Sequence, residues 1–307
     1  MKKILSTALI LLLSGCSVLE NLVKSENVQD QTLQNLAPVN VRLMENENIN
    51  IDHDQVVEKY RAYLDVSTDD ELRIRTYHRI ANLRLQKDEY VLVKGEMPAG
   101  DENQAQSIDF GRDSIADYER LLTKYPDRND NDLALYQLAK AYSLAGEPFE
   151  TIRVLEQLTE YYPRSDHYLE SLFRLGEVYY ANGVYDLAEN AYQRLIERGA
   201  EENKYFLSAM YLIGWSQFKQ NNYEGSLLSF TSVLDFEFPD SDSINNASSG
   251  QKGMLNDILR IMAITFDYLG DWKNVDQFYA QIGQRHYEYR IYETLAEQYY
   301  DKQYYKS

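Results

Sequence analysis

The side chains able to do chemistry in this 307-residue chain are few and far apart. Its single thiol is Cys16, its four imidazoles are His53, His78, His167 and His286, and Asp240-Ser241-Asp242 has the opening spacing of a calcium loop. One thiol makes no disulfide, and imidazoles this scattered make no zinc site of the clustered type. The calcium reading fails on its own spacing. Ile244 stands where an oxygen ligand belongs and no Glu closes the loop twelve residues on, which leaves a solvated linker. There is no HExxH pair, Gly-x-Ser-x-Gly elbow, phosphate loop or Cys-His couple. No catalytic residue, metal or cofactor is therefore expected, and the chain is read as non-enzymatic. His78 and His167 fall on helical stretches beside charged residues and are assigned no role.

Composition points to what the chain uses instead. With 44% hydrophobic and 26% charged residues it is globular, and 49 acids against 31 bases give a net charge of −18. That field repels phosphate backbones and anionic headgroups, so nucleic acid is not an expected partner. Only 14 Gly and 6 Pro accompany 27 Tyr. Few breakers and many rings favour long helices with bulky packing.

The first sixteen residues read as an address. Lys2 and Lys3 precede the apolar run Ile4 to Leu13, which is about half the roughly twenty residues needed to span a bilayer. A cleaved secretion signal over 1–15 is expected. Leu13-Ser14-Gly15-Cys16 resembles the bacterial lipobox, which implies that Cys16 is lipidated and becomes the first mature residue. Ser17 after it resembles the outer-membrane sorting pattern, which implies a lipid anchor at the periplasmic face of the outer membrane. Residues 16–54, rich in Asn and Gln and without sustained period, read as the lipidated Cys and a tether; the other reading has Val39 to Met44 pairing with a partner as a strand. Residues 55–307 are expected to form the folded domain, beginning with a capping helix on Val56, Val57, Tyr60 and Leu64.

Within that domain one helical stripe recurs. It runs Leu135-x2-Leu138-Ala139-x2-Tyr142, Leu172-x2-Leu175-Gly176-x2-Tyr179, Met210-x2-Ile213-Gly214-x2-Gln217, Leu259-x2-Met262-Ala263-x2-Phe266 and Tyr292-x2-Leu295-Ala296-x2-Tyr299. A second stripe follows as Thr151-x3-Leu155, Ala188-x3-Tyr192, Ser226-x3-Phe230 and Val275-x3-Tyr279. Small residues recur where paired helices must approach, and rings where gaps between pairs must be filled. Gly146, Gly183, Gly270 and Asn221 suit left-handed turns between the paired helices. Tyr77-x2-Ile80-Ala81 and the Ser114 to Pro126 segment make a split earlier copy. The insertions Val91 to Phe110 and Pro239 to Gly253 are expected to be surface loops, and Leu295 and Tyr299 to be left half covered at the end of the array.

The pattern resembles the tetratricopeptide repeat and predicts an all-α solenoid of about five units plus a partial one. Together with the lipobox, it resembles repeat-bearing outer-membrane lipoproteins of the BamD/CpoB-like class. The stretch Tyr211 to Gln220 is also similar to long periplasmic gliding-motility-type repeat proteins. The resemblance implies a scaffold that binds other envelope proteins through its concave face, either as a BamD-like component of outer-membrane β-barrel assembly or as an adaptor for a cell-wall, polysaccharide or motility machine. In such repeats the first helices line the groove, which nominates Tyr136, Phe173, Tyr180, Tyr211, Phe218 and Asp267, with Trp215, as peptide-binding residues; alternatively some of these rings pack on the neighbouring second helix. Lys140, Lys219 and Arg260 are too scattered for a carboxylate clamp.

Overall fold

Helices follow one another from His53 to Asp301 in this computed structural model, which describes residues 53–94, 110–270 and 272–301. Among the described residues there are thirteen helices and no strand, so the expected all-α solenoid holds. The signal and tether over 1–52 lie outside the described residues. Helix α1 (His53–Val66) precedes the split unit α2 (Asp70–Lys94) and α3 (Arg112–Lys124). Three regular pairs follow: α4 (Asp132–Leu144) with α5 (Pro148–Tyr161), α6 (Tyr168–Ala181) with α7 (Tyr185–Ile196), and α8 (Phe206–Lys219) with α9 (Tyr223–Glu237). The array closes with α10 (Ser241–Asn245), α11 (Ser249–Leu269), α12 (Lys273–Ile282) and α13 (Glu288–Asp301). From α1 to α9 each helix packs on its sequence neighbour, and then α9 meets α11 and α11 meets α13. No helix among the described residues is long and apolar enough to cross a membrane.

The hairpin turns repeat one device. Gly146 (φ 72°), Gly183 (φ 77°) and Asn221 (φ 60°) take the left-handed region. The next amide then reaches back five residues, Glu147 to Tyr142, Val184 to Tyr179 and Asn222 to Gln217, and caps carbonyls the helix leaves open. Gly270 takes φ 139°, a conformation glycine reaches and other residues do not.

Close approach inside each pair depends on the small residue of the first stripe. A Cβ on Gly176 would lie 2.4 Å from the Tyr192 ring, and one on Gly214 would lie 2.8 Å from Phe230. The second-stripe rings Tyr118, Tyr192, Phe230 and Tyr279 are all buried. At roughly 25 cal/mol per Å² of apolar surface, these rings carry much of the stability of their joints. Between α2 and α3 the half-buried Arg84 pairs with the buried Asp117 at 2.7 Å.

The core is not continuous. One cluster runs from Val57 to Ile213 and a second from Leu227 to Leu295. Helix α8 belongs to both: Ala209 and Ile213 face the first, while Met210, Tyr211, Trp215 and Phe218 pack on the second.

The expectations for both insertions and for the end of the array need correction. The linker expected as a loop from Pro239 to Gly253 contains α10 and the first turn of α11. Its N-caps explain this: Asp240 accepts from the Ser243 amide at 2.8 Å and Ser248 from the Gln251 amide at 3.3 Å, each answered by a reciprocal side-chain bond. Asp240 is thus a capping residue whose carboxyl the Ser243 amide holds below the usual range. Ile244 and Ala247 are buried and anchor the segment. Another correction concerns Leu295, expected to be half covered: it is buried against α11, whereas Tyr299 is only partly covered. The first insertion begins with Val91 to Lys94 still in α2, and 95–109 lie outside the described residues.

Candidate functional site

The solenoid brings the first helices of successive pairs to one face, and a cavity of about 800 Å³ opens across α2, α4 and α6 and the first turns of α5. Ala139, Leu155 and Val178 lie among its apolar lining, with Glu89, Lys140, Glu147, Arg174 and Glu177 as its charges. Lys140 is bound to Glu89 at 2.8 Å and Arg174 to Glu170 at 2.8 Å, so both cations are engaged internally. Glu177 has its carboxyl raised by burial, against the pull of Arg174.

The nominated aromatics fall into three places. Tyr136 is buried, donates to the Glu170 carboxylate at 2.6 Å and stacks on His167 at 4.4 Å. Glu170 also accepts from Arg174. Burial would raise the Glu170 carboxyl, but the hydrogen bonds of Tyr136, Arg174 and Tyr205 overcome it and bring it down to about 2. Burial and the same carboxylate push the Tyr136 hydroxyl up to about 12, so it is a donor at neutral pH. Phe173 and Tyr180 lie further along: Phe173 stacks on Tyr205 at 4.9 Å and tilts against Tyr192 at 5.9 Å, and Tyr180 meets Tyr185 edge-on at 5.2 Å.

The third place is a cluster. Tyr211 and Trp215 are 6.3 Å apart, Trp215 and Phe218 6.0 Å, and both Tyr211 and Trp215 set an edge against Phe230 of the second helix. Phe218 extends the cluster to Tyr223 at 5.7 Å and Tyr268 at 6.1 Å, and Tyr223 and Tyr268 stack at 5.4 Å. Tyr268 is 63% exposed, so the cluster ends in open solvent. Asp267 precedes it on α11.

Tyr136 and Tyr211 play the same part in different joints. The Tyr211 hydroxyl donates to Asp257, two turns into the next first helix, and Asp257 is also held by Arg260 at 2.6 Å. A ring on one first helix, an acid on the next and an arginine one turn further along make a clasp that appears at α4–α6 and again at α8–α11. Arg260, read from sequence as a stray groove cation, is part of it. Sequence reasoning missed Tyr268 and both clasps. The clasp signal is a tyrosine directly after the leading large residue, answered in the next copy by an acid two positions before its own leading residue.

Three segments, 133–165, 170–198 and 208–241, match the tetratricopeptide repeat family, and they coincide with the pairs α4–α5, α6–α7 and α8–α9. No curated protein matches the chain. Among solved structures it is similar to MamA (residues 41 to the end) from Desulfovibrio magneticus RS-1, at 13% identity and TM-score 0.42, over 70% of this chain and 96% of that one. It is also similar to the TPR-like repeats of a putative kinesin light chain from Podosopora anserina (14%, TM-score 0.44, 68% and 93%) and to BtubC from P. vanneervenii (13%, TM-score 0.44, 80% and 89%). The chain is thus an all-α solenoid of helix pairs, three of which are tetratricopeptide repeats. Folds of this class offer partner proteins an extended surface.

Proposed function

We propose that the chain is a lipid-anchored scaffold, held through Cys16 at the periplasmic face of the outer membrane, that docks proteins of a cell-envelope complex on the face formed by its first helices. The observation that carries this is the aromatic cluster of α8, which runs through half-buried Phe218 and Tyr223 to Tyr268, exposed on the first helix α11. Anchors of this type dominate binding when buried by a partner. The lipobox at Cys16 supports the anchor, since two or more acyl chains hold a protein to a membrane where one does so only marginally. Capture of partners from detergent-solubilised envelopes by the Phe218→Ala/Tyr268→Ala variant tests the surface: loss of capture with helicity retained is expected, and undiminished capture would discard it. A Cys16→Ser variant recovered wholly in the soluble periplasmic fraction is the expected result for the anchor, and membrane retention contradicts it.

A further inference from the structure

The first described pair of helices repeats an interior joint with one member missing. In each regular pair the second helix carries a small or short residue and, four positions on, a larger one: Thr151 and Leu155, Ala188 and Tyr192, Ser226 and Phe230. Both lie against the preceding first helix and are buried. Helix α1 packs on α2 as those second helices pack on the first helix that follows them. It carries Val56 and Tyr60 at the same spacing and at the matching distance before the next first-helix stripe. Among the described residues no helix covers them, and both are only partly buried.

A cavity of about 700 Å³ occupies the place. Its walls are two helical stripes, Val56, Lys59, Tyr60 and Tyr63 on α1 and Leu72, Arg75, Thr76 and Arg79 on α2, each spaced i, i+3, i+4, i+7. That spacing makes a groove two helical turns long. In a chain of net charge −18 this groove is lined by three cations and no carboxylate. Arg75 has a long contact to Glu71 at 3.6 Å, both side chains being exposed, which screens it little from a stronger partner.

We infer that the groove between α1 and α2 is a docking seat for an acidic, amphipathic helix of a partner protein. The occupant must place a small residue over the Tyr60 ring, as Gly176 and Gly214 sit under Tyr192 and Phe230 inside the array. It must also set apolar residues one turn away against Val56 and Leu72, and carry Asp or Glu on both flanks to meet Lys59, Arg75 and Arg79. The seat is separate from the first-helix face at α8 and α11, so the two surfaces stand or fall independently.

The probe is a fluorescein-labelled 14-residue helix with Leu, Ala and Leu along one stripe and Glu on both flanks, titrated into the mature full-length chain beside a twin carrying Lys for every Glu. The acidic helix is expected to bind at least tenfold tighter than its twin. Arg75→Ser/Arg79→Ser, two exposed positions, is expected to weaken it tenfold or more with an unchanged circular dichroism spectrum. A photoreactive residue at Tyr63 should cross-link the acidic helix. Equal affinity for the two peptides, binding untouched by the double substitution, cross-links from Tyr63 into residues 16–52 of the same chain, or preference for phosphatidylglycerol vesicles over the peptide would each overturn the assignment.

Discussion

Tyr192 and Tyr60 occupy the same place in the repeat and have different fates. Tyr192 lies between α6 and α7 with its ring on Gly176 and no exposure; Tyr60 looks into an open groove. The joints of α6–α7 and α8–α9 are thus closed by geometry, with one residue reduced to hydrogen so that a ring from the other helix can sit down. Among the described residues the α1 stripe has no such cover. A stripe that is stability in the middle of a solenoid is a binding surface at its edge, because each repeat buries its apolar side only against neighbours.

The largest expected effect separates these two rings. Tyr192→Ala should cost about 3–5 kcal/mol, the range for removing a buried ring, whereas Tyr60→Ala should cost about 1 kcal/mol or less. Denaturant melts of the two variants against the parent decide it, and equal losses would break the comparison. A smaller contrast comes from glycine. Gly176→Ala forces a methyl into the Tyr192 ring and should destabilise by about 2 kcal/mol, within the range for overpacking. The same change at Gly253, in α11 with nothing within 4 Å, should stabilise by about 0.5–1 kcal/mol through helix propensity alone. Same-sign shifts in melting temperature would contradict the close-approach reading.

The clasp at Glu170 should give the smallest and most pH-dependent effect. Its folded carboxyl lies near 2, below the ordinary 4.5, so it contributes stability that is fully present above 4.5 and is lost as pH falls toward 2. Because the site is partly solvated, that contribution is discounted to about 1 kcal/mol. Glu170→Gln should therefore lower stability at pH 7 and approach the parent near pH 2; a gap independent of pH would mean that the clasp is not ionic.

The repeat was legible because its spacing is chemical: a Gly or Ala one residue after a Leu, Ile or Met, answered by a ring or a Leu on the next helix, follows from the distance between packed helices. The left-handed turns at Gly146, Gly183 and Asn221 were legible for the same reason. Helix α10 was missed because Pro239, Gly250 and Gly253 punctuate the segment, while the Asp240 and Ser248 caps that turn it helical are local and short. The groove residues were only half legible. A helical period places Tyr136, Phe173, Tyr180, Tyr211, Trp215 and Phe218 near one face, but it does not say that Tyr136 and Tyr211 reach across to Glu170 and Asp257. Those bonds depend on how far one repeat is offset from the next. Tyr268 was hidden because it lies at the end of a helix whose start the linker obscures.

Site-specific photocross-linking in native envelopes tests the central claim most directly. A photoreactive residue is placed in turn at Tyr268, on the first-helix face, and at Phe149, 78% exposed on the second helix α5. A discrete protein adduct from Tyr268 and none from Phe149 is the result expected of a scaffold that docks its partners on its first helices. Adducts of equal yield from both positions, or from Phe149 alone, would contradict it.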